Sequence, residues 1–331
     1  MENDWRPSAS IETMKRRAQL LADARHFFAQ KQVLEVETPI LSQAAPTAPY
    51  LDSFKTDYIP IGTDQKQDFY LQTSPEFAMK RLLAAGSGSI YQVAKVFRNG
   101  ESGKHHSPEF TMLEWYRVEL TLEQLMDEVA ELLTSVADFS DAVRVSYAVV
   151  FKTYLDLDVF DCADADLKSL AFTHISSLAA DFELDRDGWL ELVMSEVIEP
   201  KLAELNQPVF IYDFPASQAQ LAKVKIDGQG NHVAARFELY AGGLELANGY
   251  DELLEAQALR QRFEQDNQQR QRLGKPDMPI DENLLAAMQA GLPQCTGVAL
   301  GLDRVLMLIL DQSNIKQVQN VTFLMSLISH E

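Results

Sequence analysis

Strand-like segments in this chain come in pairs that are adjacent in sequence, and helical segments lie grouped between them. Alternation of apolar and polar residues predicts strands at 90–97 and 109–116, joined as an antiparallel hairpin by the polar loop 98–107. The same patterns predict further strands at 209–212, 234–240 and 243–247, and helices at 11–31, 121–136, 165–205 and 252–273. This order favours an α+β fold, with an antiparallel sheet flanked by helices, over a βαβ arrangement.

Two proline-containing segments add detail to this prediction. Residues 33–41 alternate like a strand, which is expected to end at Pro39 because proline cannot donate to a sheet ladder. A strand is predicted at 69–72, and Ser74 is expected to cap a helix that opens with Pro75 and Glu76.

The chain is acidic, with 331 residues and a formal net charge of −20. Binding to an extended nucleic acid depends on clustered Lys and Arg, so we expect no such binding. We expect one catalytic domain over 1–331 with a mainly helical acidic insertion at about 121–205. Within it, residues 138–199 carry 14 acidic side chains against 4 basic ones. They form either a solvated face or a docking surface for a basic partner.

Cysteines and long apolar segments are scarce. Cys162 and Cys295 have no histidines at zinc-ligand spacing and are expected to be ordinary thiols. No apolar run is long enough for a signal peptide or a membrane span. We therefore expect a cytoplasmic protein without a membrane partner.

One candidate site lies on the predicted strand 109–116. Phe110, Met112, Glu114 and Tyr116 would share one face of that strand. A buried Glu114 needs a cationic partner, either a substrate ammonium group or a nearby arginine.

A second candidate is the segment 236–252. If it forms a hairpin that turns at Gly242-Gly243, Glu238 and Glu245 converge, and with Asn248 they offer oxygen ligands for a magnesium ion bound to nucleotide phosphates. The alternative is a surface hairpin whose acids have no ligand.

The third candidate is the apolar run 298–310, a strand that passes into a helix. Gly301 would allow a ligand to approach the backbone, and Arg304 would lie near the helix start. The alternative is a buried strand–helix junction with no ligand.

Together these segments resemble the three signature motifs of class II aminoacyl-tRNA synthetases. Residues 34–39 look like motif 1, 97–116 like motif 2 and 297–304 like motif 3, while 73–76 and 245–249 are typical of the lysyl-tRNA synthetase subgroup. The resemblance runs from about residue 11 to residue 310. It implies a homodimeric catalytic core that activates an amino acid with ATP and Mg²⁺.

The resemblance also implies roles for the matching residues. Arg98 and Arg304 would be catalytic, Phe110 would stack on adenine, and Glu238 and Glu245 would hold the metal. Residues implied to bind ATP are Arg98, Asn99, Gly100, Ser107, Phe110, Glu245, Leu246, Gly301 and Arg304. Residues implied to bind the amino acid are Ser74, Pro75, Glu76, Glu114, Tyr116, Asn248, Glu252 and Ala299.

Lysyl-tRNA synthetases carry an N-terminal OB-fold that reads the anticodon, whereas the motif 1 segment here begins near residue 33, so we expect no such domain. Residues 7–28, 106–117 and 214–222 resemble the lysyl-tRNA synthetase paralogues that attach (R)-β-lysine to elongation factor P. That likeness implies β-lysine or lysine as substrate and elongation factor P as the acceptor protein. A truncated synthetase that charges tRNA, and a non-catalytic ligand-binding paralogue, remain alternatives.

Three residues depart from the lysyl-type pattern. Gly100 and Ser107 stand where Glu and Asn are usual, and we expect weaker ATP binding. For Ser107 the reason is that a hydroxyl makes fewer hydrogen bonds than an amide. Ala299 stands where glycine is usual in motif 3. Its methyl group either reshapes the pocket for an amine one carbon further along or is a neutral packing change.

Overall fold

A computed structural model describes residues 6–137 and 139–322, so the predicted domain limits at residues 1 and 331 lie outside it. The helices, in chain order, are α1 (Ile11–Gln30), α2 (Glu76–Ala84), α3 (Leu122–Val136), α4 (Tyr147–Leu155), α5 (Asp164–His174), α6 (Arg186–Val193), α7 (Glu199–Leu202), α8 (Ala256–Arg272), α9 (Glu282–Gly291) and α10 (Leu302–Ile309). The strands are β1 (Leu34–Glu35), β2 (Leu41–Ser42), β3 (Lys55–Tyr58), β4 (Gln67–Leu71), β5 (Ile90–Phe97), β6 (Glu109–Val118), β7 (Val143–Ser146), β8 (Val209–Pro215), β9 (Val224–Ile226), β10 (His232–Ala241), β11 (Leu244–Asp251) and β12 (Cys295–Gly301). The fold is α+β, as predicted.

The chain folds into two compact units, each assembled from separate stretches of sequence. The first unit consists of Met1–Leu120, Ser135–Ala137 and Leu253–Glu331, and the second unit of Thr121–Thr134 and Asp138–Glu252. The organisation as one catalytic domain with an insertion stays a prediction.

In the first unit, the predicted hairpin forms the centre of a sheet. β5 and β6 pair antiparallel from Ile90 opposite Tyr116 to Phe97 opposite Glu109. On one side β1 pairs parallel with β5, and on the other β12 pairs antiparallel with β6. A separate three-stranded antiparallel sheet has the order β2-β4-β3.

Helix α1 covers this sheet through its apolar side. Ser10 caps the helix, since its Oγ accepts a hydrogen bond from the Thr13 N–H at 3.1 Å. Phe28 is fully buried, stacks on Tyr91 at a centroid distance of 4.4 Å and meets the Trp115 ring edge at 5.3 Å. These aromatic contacts fix α1 against β5 and β6.

In the second unit, β10 is the central strand. It pairs antiparallel with β8, β9 and β11, and β7 pairs parallel with β8. Residues 121–205 are mainly helical, with β7 as a short strand among the helices. The core of this unit is built around Tyr147, Trp189 and Phe214, whose side chains are almost completely buried.

Two local predictions were wrong. The strand predicted over 33–41 is only two residues long as β1, because its ladder to β5 ends with the hydrogen bond from the Val36 N–H to the Tyr91 carbonyl. The N-cap of α2 is Pro75, not Ser74. The Ser74 Oγ still accepts from the Glu76 N–H at 3.0 Å, but it donates to Glu114 on β6.

Within the residues that the structure covers, no helix is both long and apolar enough to cross a lipid bilayer.

Candidate active site

In the first unit, three neighbouring strands align small and polar side chains with Glu114. Glu114 on β6 lies opposite Gln92 on β5 and opposite Ala299 on β12. Two residues along the ladder, Met112 lies opposite Gly301. Phe110 and Ala299 pack with Met112 in a small apolar cluster, so the predicted face of β6 is confirmed.

Glu114 is 2% exposed, and two hydroxyl groups bind its carboxylate. Ser74 Oγ donates to Oε2 and the Tyr116 hydroxyl donates to Oε1, each at 2.7 Å. No arginine among the described residues pairs with Glu114, so the arginine partner considered for it from the sequence is not found. Its partners are neutral donors, which orient the carboxylate and leave its charge in place.

A buried ion pair lies beside Glu114. Lys80 on α2 is 1% exposed, and its Nζ lies 2.6 Å from Glu76 Oε1 one helical turn earlier. Burial raises the pKa of Glu114 to about 7 and the Glu76 charge adds to this, whereas Tyr116, Ser74 and Lys80 act in the opposite direction. The structure thus brings together four of the predicted amino-acid-binding residues, Ser74, Glu76, Glu114 and Tyr116.

The loop after β5 carries Arg98 and the unusual Gly100. The Arg98 guanidinium carbon lies 5.1 Å from the Phe110 ring centroid, and its Nη1 lies 3.7 Å from Glu101 Oε1. Gly100 has a φ of 87°, a left-handed conformation that disfavours side chains with a Cβ. The turn therefore suits a glycine, and Glu101 supplies the carboxylate next to Arg98.

Arg304 lies in the first turn of α10, as predicted. Its Nε donates to the His105 carbonyl at 3.3 Å, and its Nη2 lies 2.8 Å from His106 Nε2. The preceding Asp303 is 1% exposed, accepts from the Thr111 N–H at 2.6 Å and pairs with Arg17 at 2.7 Å. Asp303 thereby ties the start of α10 to the strand that carries Phe110.

In the second unit, the predicted hairpin is confirmed, with Gly242-Gly243 at the turn between β10 and β11. Glu238 lies opposite Asn248 and Tyr240 opposite Glu245, because the register shifts between Leu239 and Tyr240. The irregularity places Glu245 close enough to Glu238 for their charges to interact.

Glu238 is 7% exposed and is held by both of its neighbours on the same strand face. Arg236 Nη2 donates to Oε1 and the Tyr240 hydroxyl donates to Oε2. Arg236 also donates to Asn248 Oδ1 at 3.1 Å and to the Gln218 carbonyl at 2.9 Å. Burial raises the pKa of Glu238 to about 7, which Arg236 opposes and Glu245 reinforces.

The structure also includes the remaining predicted residues. Ser107, Leu246 and Glu252 are buried, and Glu252 forms a single β-bridge with Ala222. No group of three or more Asp, Glu, His or Cys side chains in the described parts of the chain is arranged to hold a metal ion unaided. Glu238 and Glu245 therefore offer two carboxylates, which is the number that Mg²⁺ commonly takes from a protein when phosphates supply other ligands.

Comparison with known proteins identifies the family. The model for class II tRNA synthetases of the D, K and N type matches residues 3–322. The chain belongs to this family. Elongation factor P–(R)-β-lysine ligase of Proteus mirabilis is 48% identical over 315 residues, covering 95% of this chain and 96% of the relative. The ligases of that name from Vibrio vulnificus and Haemophilus influenzae are 49% and 47% identical, covering 98% and 96% of this chain and 99% and 96% of the relatives.

Several residues that contact the predicted residues within each unit were not predicted from the sequence. Lys80, Arg236, Tyr240, His106 and Asp303 each contact a predicted residue or its neighbour. The spacing of Glu76 and Lys80 on a helix, and of Arg236, Glu238 and Tyr240 on a strand, were available signals. The contacts of His106 and Asp303 join segments about 200 residues apart, and no local pattern indicates them.

Proposed function

We propose that this chain activates (R)-β-lysine with ATP and transfers it to a lysine side chain of elongation factor P, releasing AMP. The observation that carries the proposal is the likeness over nearly the whole length to several relatives that bear this ligase name. The buried carboxylates of the first unit fit the substrate class, since β-lysine carries two ammonium groups. The acceptor is a translation factor, so we also propose a cytoplasmic location.

We assign the amino acid to the residues around Glu114 in the first unit. Glu114 and Glu76 would bind ammonium groups, while Ser74 and Tyr116 orient Glu114 through their hydroxyls. Pro75 starts α2 and so sets the position of Glu76. In the second unit, we assign Asn248 and Glu252 to the amino acid as well.

ATP is assigned to the motif 2 hairpin and the start of α10. Arg98 Nε is buried and has no hydrogen-bond partner among the described residues, so it is available to a ligand. Phe110 would stack on adenine, and Arg98 and Arg304 would stabilise charge on the phosphates. Further residues assigned to ATP are Asn99, Gly100, Ser107 and Gly301, with Glu245 and Leu246 in the second unit.

Magnesium is assigned to Glu238 and Glu245. Their carboxylates interact, and burial makes the ionised form of Glu238 costly, so a divalent cation would stabilise the pair. When bound, Mg²⁺ would neutralise charge on the nucleotide phosphates. Arg236 and Tyr240 would hold Glu238 in position for it.

The reaction has two steps. First, the carboxylate oxygen of β-lysine attacks the α-phosphorus of ATP, the bond to the bridging oxygen breaks, and pyrophosphate leaves. Next, the acceptor lysine amine attacks the carbonyl of the mixed anhydride, the bond to the phosphate oxygen breaks, and AMP leaves with formation of an amide and loss of one amine proton. Positioning and electrostatic stabilisation by the arginines suffice, and no covalent enzyme intermediate is needed.

Intact-mass analysis of elongation factor P tests the proposal. After incubation with this protein, ATP, Mg²⁺ and (R)-β-lysine, the factor is expected to gain the mass of one lysyl residue, and omission of ATP should abolish the gain. An unchanged mass, together with aminoacylation of bulk tRNA, would instead support the truncated-synthetase alternative. Absence of both products and of any amino-acid-dependent AMP formation would support the non-catalytic alternative.

Ala299 is expected to set the choice of amino acid. Its position opposite Glu114 puts its methyl group on the same face of the sheet as the Glu114 side chain. Because one methyl group in a pocket is worth about 1–3 kcal/mol, Ala299→Gly should shift the ratio of kcat/KM values toward α-lysine by about tenfold or more. Pyrophosphate exchange with each amino acid measures this ratio. Val298→Ala removes apolar volume from the adjacent buried position and should leave the ratio unchanged. If Ala299→Gly has the same ratio as the wild type, Ala299 does not set the choice of amino acid.

We further propose that the chain forms a homodimer through its motif 1 region. Apolar side chains in and after this region are exposed, among them Leu34 at 56%, Ile59 at 50% and Ile61 at 105%. A surface on which such side chains form a contiguous patch favours a protein interface. Sedimentation at micromolar concentration is expected to show a dimer, and Ile61→Asp together with Leu34→Asp should yield monomers. A monomeric native protein would contradict this proposal.

A further inference from the structure

Three ionisable side chains of the first unit lie together where substrate ammonium binding is proposed. Glu76 and Lys80 face each other across one turn of α2, with 2.6 Å between Nζ and Oε1. Ser74 links Glu76 to Glu114, because its Oγ accepts from the Glu76 N–H at 3.0 Å and donates to Glu114 Oε2 at 2.7 Å. The charges of Glu76 and Lys80 both act on the pKa of Glu114. Lys80 and Glu114 are buried, at 1% and 2% exposure.

Two carboxylates in such proximity repel, and the Glu76 charge adds to burial in raising the pKa of Glu114. Glu114 is bound by two hydroxyl groups, and neither supplies a positive charge. On either side in the sheet stand Gln92 and Ala299, which do not titrate. Within the first unit, Lys80 is the cation whose field favours the ionised form of Glu114.

We propose that Lys80 is a positioning residue that holds Glu76 in an ion pair and favours the ionised form of Glu114, so that the site accepts a substrate ammonium group at neutral pH. This inference rests on the proposed function. With all three groups charged, the cluster carries one net negative charge, which one ammonium group neutralises. Without Lys80, Glu114 would take up a proton more readily. The repulsion between the two carboxylates would then be relieved, and the attraction of the site for the substrate ammonium group would weaken.

The direction of the pH effect follows from the ionised form being the binding form. As pH falls through about 7, Glu114 takes up a proton, loses its charge, and the KM for the amino acid rises. Removal of the Lys80 charge moves this rise to higher pH. A shift of one pKa unit gives a KM ratio, variant to wild type, of about tenfold at pH 6 that falls below about twofold at pH 9.

Pyrophosphate exchange with (R)-β-lysine from pH 6 to pH 9 tests the proposal. Lys80→Met should show the pH-dependent KM ratio, and Lys80→Arg, which keeps the charge, should restore KM to within about threefold at every pH. Lys95→Met is the matched control, because Lys95 also forms an ion pair, with Glu109 at 3.2 Å, on the neighbouring strands. Its KM profile should follow the wild type. A ratio for Lys80→Met that stays constant across the pH range, or equals one, would overturn the proposal.

Infrared titration separates failure of this inference from failure of the proposed function. The protonated carboxyl band of Glu114, assigned by subtracting the Glu114→Gln spectrum, reports its pKa in the free protein. We expect Lys80→Met to raise that pKa by at least about one unit and Lys80→Arg to leave it near the wild-type value. If the wild type exchanges pyrophosphate with neither β-lysine nor lysine, the proposed function fails while this titration still decides the role of Lys80. If the pKa of Glu114 in Lys80→Met equals that of the wild type, Lys80 does not have this role.

Discussion

Replacing Arg98 by alanine is expected to lower kcat/KM for pyrophosphate exchange about 100- to 1,000-fold, the usual effect of losing one group that stabilises transition-state charge. Arg98 lies at the start of the motif 2 hairpin, with its guanidinium carbon 5.1 Å from the Phe110 ring centroid and its buried Nε without a hydrogen-bond partner among the described residues. The loss should fall mainly on kcat, because charge on the phosphates grows as pyrophosphate leaves.

Two variants sharpen this test. Arg98→Lys keeps the charge but loses the planar fork of donors, so it should recover only part of the activity. Arg260→Ala removes a partly exposed arginine of the same unit that pairs with Glu282, and its kcat/KM should stay within about twofold of the wild type. An Arg98→Ala enzyme within threefold of wild type would show that the arginine has no catalytic role.

Arg236→Met is expected to destabilise the protein by about 3–5 kcal/mol, since it leaves the buried Glu238 carboxylate without its cation. Arg236 is 6% exposed, and burial alone would lower its pKa. Its pKa is nevertheless raised, because Glu238, Tyr250, Glu245 and Tyr240 together favour the charged form. It also packs over the Phe214 ring at 4.5 Å, so its loss affects the core of the second unit. Urea denaturation followed by fluorescence of the buried Trp189 measures the change.

A double-mutant cycle separates the ion pair from packing. Arg236→Met combined with Glu238→Gln should be less destabilised than Arg236→Met alone, because no unpaired charge remains. Lys225→Met breaks the more exposed pair with Asp213 and should cost less than about 1 kcal/mol. If the urea midpoint of Arg236→Met matches that of Lys225→Met, the expectation is contradicted.

The hairpins were predictable because each has a strong local signal. The alternation over 90–97 and 109–116 and the Gly242-Gly243 turn indicate the strands and their pairing without help from the rest of the chain. The same holds for α10 and the position of Arg304 near its start. Most predicted site residues lie on these elements. Ser74, Glu76 and Tyr116, which are also predicted site residues, meet at Glu114.

Other features depend on distant contacts and were missed for that reason. Ser74 looks like a helix cap in sequence, but its hydroxyl proton is used by Glu114, 40 residues away. The first strand pairs with β5 only at Leu34 and Glu35, and the alternation over 33–41 does not show where that pairing ends. The irregularity that places Glu245 opposite Tyr240 is likewise invisible in the residue pattern.

Glu114 and Glu238 are each followed, two residues later on the same strand, by a tyrosine whose hydroxyl donates a hydrogen bond to one carboxylate oxygen. A strand places residues i and i+2 on one face, so the pair forms as soon as the strand does. The tyrosine removes the rotational freedom of the carboxylate during folding, before any ligand arrives. Binding of a cation at Glu114 then needs little reorganisation of the acid itself, and the affinity reflects charge and fit rather than the cost of ordering a side chain.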